Sequence, residues 1–581
     1  EDRGAGSEIA TFTGDQYEGR FTGNIIDICP VGALTSIPYR FTARPWDISN
    51  TPSICGGCPA GCNVELTTRE GEVARVNGRP EPNYEVEEGW ICDRGRFSYP
   101  GNRAASRITT PLIRDEGRTR EASLDDAVAA AGLVLRHGGR LGIVVGPTAT
   151  VEEGYLAQEL AAALPDAIVQ RLGIPGQGLD ALRSQPSAQL GDLDAAGAVL
   201  IVGGDPPNQQ SVVELRVRKA HRHGARVLTV GARPHDLEAL GTAVRALPGG
   251  LAAAIEALEI PEAENLIVLW DEADLAAEPD ASGALARLVA ARGARQLELG
   301  ADVNGAGLRA LGLPATGVLE AAQAGEIDTL LTIHADPLVG PGASDWGWAT
   351  GRVRTRIAIA AYATPIVEGA MVVLPAATPY ETEGVLVAMN GRAQRLRPGA
   401  QPPEGAAPGW EILIALAHRV GAPPPYRTAA RAFAAAAAAR PALAGLDYDA
   451  IGVLGTQIGA VAPISPNGAN GPREIAGAGL PLVTTERIFG NAMTYRSDAL
   501  AAVRTGAELV LNPAEAARQG VADGGQARLR SPHGEVTLAV RIDAAHPEGA
   551  AFVAAGVPGA GVERLLASDR GPVRVEVTAA R

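Results

Sequence analysis

The run CGGCPAGC at 55–62 places Cys55, Cys58 and Cys62 within eight residues, and Cys92 follows after 29 intervening residues. Four thiols and no histidine form a soft, anionic donor set suited to iron-sulfur chemistry or to zinc. A structural zinc site usually brings its ligands as two close pairs, and the second pair is missing here. Three close thiols with one remote suit a [4Fe-4S] cube better, and the small residues between them let backbone N–H groups approach inorganic sulfide. Spacing alone leaves tetrahedral zinc open as the alternative.

Cys29 stands by itself in GNIIDICPVGALTS (23–36). A lone cysteine is usually a small buried hydrophobe. In bacterial ferredoxin runs, however, a cysteine before proline serves a cluster whose other ligands lie elsewhere in the chain. Cys29 is therefore expected to be the last ligand of a second cluster. Its partners would precede Glu1, because the chain opens on EDRGAGSEIATF without an initiator methionine and reads as truncated at its N-terminus.

The elements that must hold these thiols follow from the surrounding pattern. Asn63–Arg69 and Glu72–Val76 alternate apolar and polar residues around Glu70-Gly71, which predicts a small β-hairpin beside the cysteine loop. From about Leu124, short apolar runs beginning at Leu141, Ala198, Arg226, Leu266, Asp328 and Arg356 alternate with Ala-rich helical stretches, the pattern of a parallel α/β sheet. The turns at Gly203-Gly-Asp-Pro-Pro, Asp271-Glu-Ala-Asp and His334-Ala-Asp-Pro lie where doubly wound folds collect ligands, although such turns commonly do no more than end strands. Gly421 to Arg440 reads as a linker or surface helix. From about Leu480, strand-like runs at 507–513, 526–530, 535–541 and 551–553 predict a compact β-barrel. The expected division is a remnant of an iron-sulfur region at 1–45, a small iron-sulfur β domain at 46–104, α/β domains at 105–420, a linker at 421–478 and the barrel at 479–581.

Composition excludes several functions. The chain has 581 residues and a formal charge of -15, with no basic stripe to gain from counterion release, so nucleic acid is not an expected partner. Its longest strongly apolar run, Ala432 to Ala439, falls far short of the roughly 20 residues of a membrane helix. No G-x-G-x-x-G follows a strand, so a nicotinamide site in this chain is unsupported. His221 and His223 would diverge by about 200° on a helix, and the eight histidines read as surface residues. Five cysteines, most of them clustered, make no disulfide framework, which suggests the cytoplasm.

Five stretches resemble one family: GNIIDICPVGALTS (23–36), SICGGCPAGCNVEL (53–66), GWICDRGRFSY (89–99), the segment 372–413 beginning VVLPAATPYETEG, and LVLNPAEAARQGVADGGQARLRSPHGEV (509–536). Together they resemble the large iron-sulfur subunit of bacterial respiratory complex I, the proton-pumping NADH:quinone oxidoreductase, within the molybdopterin oxidoreductase superfamily. The resemblance implies molybdopterin-oxidoreductase-like α/β domains, a [4Fe-4S] cluster on Cys55, Cys58, Cys62 and Cys92, and further [4Fe-4S] and [2Fe-2S] clusters in a full-length chain. It also implies flavin-bearing and downstream iron-sulfur subunits as partners, and a peripheral place on the cytoplasmic face of the inner membrane. The catalytic rival is a molybdenum or tungsten enzyme such as formate dehydrogenase. Against it, no cysteine follows Cys92, the loop 146–155 offers no soft donor, and Arg94 stands where such enzymes commonly carry lysine. No molybdopterin is expected, and Arg392 and Arg395 are expected to fill part of the vacated space. A third class is an assembly scaffold with a structural cluster.

Overall fold

A computed structural model describes Gly4 and residues 19–79, 86–115, 117–176, 178–463, 475–568 and 571–580. The predicted hairpin supplies the middle strand and one edge of a three-stranded antiparallel sheet, Ser49–Ile54, Asn63–Arg69 and Glu72–Gly78, with a bulge at Thr67/Thr68. The added strand runs straight into Cys55, so the cysteine loop is the connection between two paired strands and its ends are fixed by their register.

Two parallel sheets follow. The first orders its strands Arg118–Glu121, Leu112–Asp115, Val372–Pro375, Thr355–Ala360, Thr329–Ile333, Leu141–Val145 and Ile168–Arg171; the last five are parallel and the first two form an antiparallel edge. The second is wholly parallel: Thr242–Arg245, Arg226–Gly231, Ala198–Val202, Leu266–Asp271 and Arg295–Leu299. Strands such as Leu141–Val145, Ala198–Val202 and Thr329–Ile333 are buried at every residue. That burial is why they read as continuous apolar runs rather than alternating ones. Strand order reverses between Leu141–Val145 and Thr329–Ile333 in one sheet and between Ala198–Val202 and Leu266–Asp271 in the other. At each reversal the loops leave in opposite directions and open a crevice.

Within the stretch expected to be a linker, one helix belongs to the core. Thr428 caps the helix Ala429–Ala439, whose residues Ala429, Ala432, Phe433 and Ala436 are buried in the largest apolar cluster. Alanine packs closely without the amphipathic contrast that would have marked a buried face. Arg392 and Arg395 lie on the strand Arg392–Leu396 of a small sheet with Gly384–Val387 and Thr456–Gln457, and the Arg395 guanidinium stacks 4.0 Å from the Tyr448 ring.

The last domain is a closed six-stranded barrel ordered Leu480–Glu486, Ala551–Ala555, Glu508–Leu511, Glu535–Ile542, Gln526–Arg530 and Arg574–Ala579. Four of these strands were expected, and Leu480–Glu486 and Arg574–Ala579 complete the cylinder. Among the described residues no helix is long and apolar enough to cross a membrane.

Candidate metal centre

The cysteine loop is closed at its base by the Cys55 amide, which donates to the Cys62 carbonyl at 2.8 Å. Inside it Gly61 takes φ +62°, a conformation that L side chains rarely adopt, and any Cβ there would also lie 2.9 Å from the Ala388 methyl. The Gln394 side chain donates to the Gly61 carbonyl at 3.0 Å and the Met389 amide donates to the Pro59 carbonyl at 2.8 Å. The loop is thus held from outside by the α/β domain. Cys92 comes from a separate element, as N-cap of the short helix Asp93–Phe97.

Two glycines show how closely the thiols gather. A Cβ on Gly95, one turn into that helix, would sit 3.2 Å from Cys55 Sγ and 3.9 Å from Cys92 Sγ. One on Gly57 would sit 3.3 Å from Cys55 Sγ and 3.3 Å from the Met493 sulfur. Cys62 is buried among Ala60, Val64 and Leu66, while Cys92 packs against Ile488, Phe489 and Leu500. Among the described residues, no three His, Cys, Asp or Glu side chains stand together as ligands of a single metal ion.

The electrostatics fit a cationic guest. Burial, then repulsion by Cys58 and Cys92, pushes the Cys55 thiol up to about 12. Burial followed by the Glu87 carboxylate and the other thiols drives Cys62 well above its ordinary value, and burial raises Cys92 as well. Such thiols ionise together only when positive charge arrives among them, as iron would supply. One positive group is already present. Arg94 is 3% exposed and donates to the Gln209 carbonyl at 2.9 Å; the cysteines and Glu486 more than offset its burial and hold its pKa above the usual value.

Cys29 is not part of this gathering. It caps the helix Asn24–Ile28, and its Sγ approaches the Val31 carbonyl at 3.8 Å. Its segment is nevertheless latched to the Cys92 helix: the Gly23 amide donates to Asp93 at 2.8 Å, Asn24 donates to the Ile91 carbonyl at 2.8 Å, and Arg96 pairs with Asp27 at 2.6 Å.

Sequence reasoning missed Glu87, Gln394 and Met493: Glu87 lies close to Cys92 in sequence but acts across the fold on Asn63, and the other two reach the loop from distant segments, with no local signature. Arg94 was visible because it adjoins Cys92. The histidines need correction. His221 and His223 are exposed, but the His334 side chain is only 12% exposed and sits 3.0 Å from the buried Glu153 carboxylate. It ends a buried strand with φ +50°, which turns it inward.

Comparisons with known proteins agree with this layout. Residues 48–100 match the molybdopterin oxidoreductase Fe4S4 domain, 107–258 and 350–419 match molybdopterin oxidoreductase, and 483–578 match the molydopterin dinucleotide binding domain. Residues 1–35 match the ferredoxin-like domain of NADH-quinone oxidoreductase subunit 3. Among solved structures, acetylene hydratase from Pelobacter acetylenicus superposes with a TM-score of 0.68 over 90% of this chain and 96% of its own, at 13% identity, a likeness of fold alone. NADH-quinone oxidoreductase subunit 3 of Thermus thermophilus is 34% identical over 70% of this chain, which spans 55% of that relative. The NADH-quinone oxidoreductase G subunit of Streptomyces coelicolor is 30% identical over 93% of this chain and 72% of its own length, and its Mycobacterium bovis counterpart is 29% identical over the same shares. With its cysteine domain, α/β domains and barrel matched in that order, this chain belongs to the family of NADH-quinone oxidoreductase G subunits.

Proposed function

We propose that this chain carries electrons within an NADH:quinone oxidoreductase, and that Cys55, Cys58, Cys62 and Cys92 hold one [4Fe-4S] cluster in it. The observation that carries the reading is the convergence of Cys55 and Cys92, from two separate elements, onto Gly95, where even a methyl group would press on the Cys55 sulfur; Cys58 and Cys62 lie on the same short loop as Cys55. When bound, the cluster takes up and releases single electrons. The chain's own part is to hold the four thiolates at fixed spacing, bury them from water, and set the Arg94 charge beside them, which favours the more negative, reduced state. The relatives are named for the NADH-quinone reaction, and this favours the electron carrier over a formate dehydrogenase-like enzyme. NADH oxidation and quinone reduction fall to partner subunits, with this one peripheral on the cytoplasmic face and free of molybdopterin.

Reconstituted anaerobically, the chain should bind about four irons and four sulfides and give a paramagnetic signal on reduction that is lost in Cys58→Ser. Stoichiometric zinc without iron would overturn the assignment. Cys29 is proposed as the last ligand of a separate cluster whose other thiolates lie outside this sequence. Cys29→Ser should leave the iron content of this chain unchanged, and a fall in iron would remove that proposal.

A further inference from the structure

The crevice at the strand reversal of the seven-stranded sheet encloses a cavity of about 380 Å³, bounded by Pro147 and Thr148 after one strand, His334 and Asp336 after the other, and Gly56 of the cysteine loop. That is within the range of sites for small organic molecules. Much of its wall is apolar or aromatic, including Leu172, Leu396, Tyr362, Tyr380 and Met493.

The charged groups on the wall are almost all satisfied. Glu153 accepts from the Thr150 amide at 2.7 Å and meets His334 at 3.0 Å. Asp336 accepts from the amides of Leu338 and Ile366 at 2.8 and 3.1 Å. Arg496 is the exception: among the described residues no carboxylate pairs with it, and its guanidinium lies 3.9 Å from the centre of the Tyr362 ring. Arg107, bound to Glu381, stands 5.7 Å from the same ring, so Tyr362 lies close to two cations. Gly101 backs closely onto the Arg496 backbone, leaving no room for a side chain there: an added Cβ would lie 3.1 Å from Arg496 Cβ. The Thr364 hydroxyl, in the same wall, is buried and has no partner among the described residues.

We propose that this cavity binds a small organic carboxylate, with the anion paired to the Arg496 guanidinium and its body packed on Tyr362, Tyr380 and Met493. A planar guanidinium offers a carboxylate two parallel N–H donors, and Arg496 has no carboxylate partner among the described residues, while the Asp336 carboxylate in the same wall is already turned to the amides of Leu338 and Ile366. The apolar remainder of the wall rewards an organic body over a hydrated inorganic ion. Binding there goes beyond electron transfer, although Gly56 of the cysteine loop shares the wall.

Calorimetric titration of the full chain with benzoate, and in parallel with benzyl alcohol, tests the idea. Benzoate should bind at one site, and benzyl alcohol, the same ring without the charge, about 10-fold more weakly or worse. Arg496→Gln should weaken benzoate by a similar factor and leave benzyl alcohol unaffected. Equal binding of the two probes by the unmutated chain, unchanged benzoate affinity in the variant, or no heat with millimolar benzoate would each overturn the proposal. The comparison of probes on the unmutated chain stands whether or not the variant folds.

Discussion

Gly95→Ala and Gly347→Ala make the same chemical change inside two helices and should act in opposite directions. Alanine favours a helix interior over glycine by about 1 kcal/mol. Gly347, in the helix Ala343–Thr350, is exposed and has no atom within 4 Å of an added Cβ, so its substitution should stabilise the chain by about 0.5–1 kcal/mol. Gly95 has an ordinary helical backbone too, but its methyl would arrive 3.2 Å from Cys55 Sγ and 3.9 Å from Cys92 Sγ. The nearer contact is inside the optimal separation of roughly 3.5–4 Å, and overpacking of this kind costs about 1–3 kcal/mol. Set against the helix gain, the net effect is a loss of up to about 2 kcal/mol, and the sulfurs must move to accept it. Thermal unfolding of the anaerobic protein, with iron and sulfide assays on the same samples, reads both effects. Gly95→Ala should lower the midpoint and the iron content, while Gly347→Ala raises the first and spares the second. If Gly95→Ala gained stability with full iron, the close gathering of thiols around that residue would be refuted.

Arg107→Met should destabilise by about 3–5 kcal/mol, because it strands the 3% exposed Glu381 carboxylate and removes N–H bonds at 2.8 and 2.9 Å to the carbonyls of Ala361 and Ala376; a thermal midpoint within a degree of wild type would contradict this. Glu152 is fully buried between the Tyr448 hydroxyl at 2.8 Å and the Val385 amide at 2.9 Å, and burial raises its pKa from 4.5 to about 7. Its folded pKa lies above its unfolded one, so its favourable contribution is complete below about pH 4.5 and is lost as pH rises towards 7, on the order of 3 kcal/mol in all. Denaturation midpoints measured between those pH values should fall less in Glu152→Gln than in wild type, and parallel curves would show that Glu152 does not titrate in that window.

Sequence was most informative where interactions are local or repeated. The Cys55 to Cys62 spacing, the apolar strands of the parallel sheets and four barrel strands could all be read directly, because each pattern repeats over a few residues. What escaped depends on contacts between distant segments. Gln394 supports the cysteine loop only because the strand Arg392–Leu396 lies behind it, and Met493 reaches Gly57 from the C-terminal part of the chain. Neither residue type signals such a role. His334 escaped because its burial depends on a left-handed turn at a non-glycine residue, which sequence rarely announces. The alanines of Ala429–Ala439 are equally uninformative, since alanine suits a solvated helix and a tight helix interface alike.

The barrel carries a consequence for the order in which the protein can be made. Its sixth strand in sequence, Arg574–Ala579, lies between Leu480–Glu486 and Gln526–Arg530 and bonds to both. As the ribosome releases the chain from N- to C-terminus, the five preceding strands can pair only as an open sheet with two bare margins. Bare margins of this kind invite pairing with other nascent chains. Closure waits for the last strand, so the interval between release of Ala551–Ala555 and release of Arg574–Ala579 is when newly made chains are most exposed to sticking together.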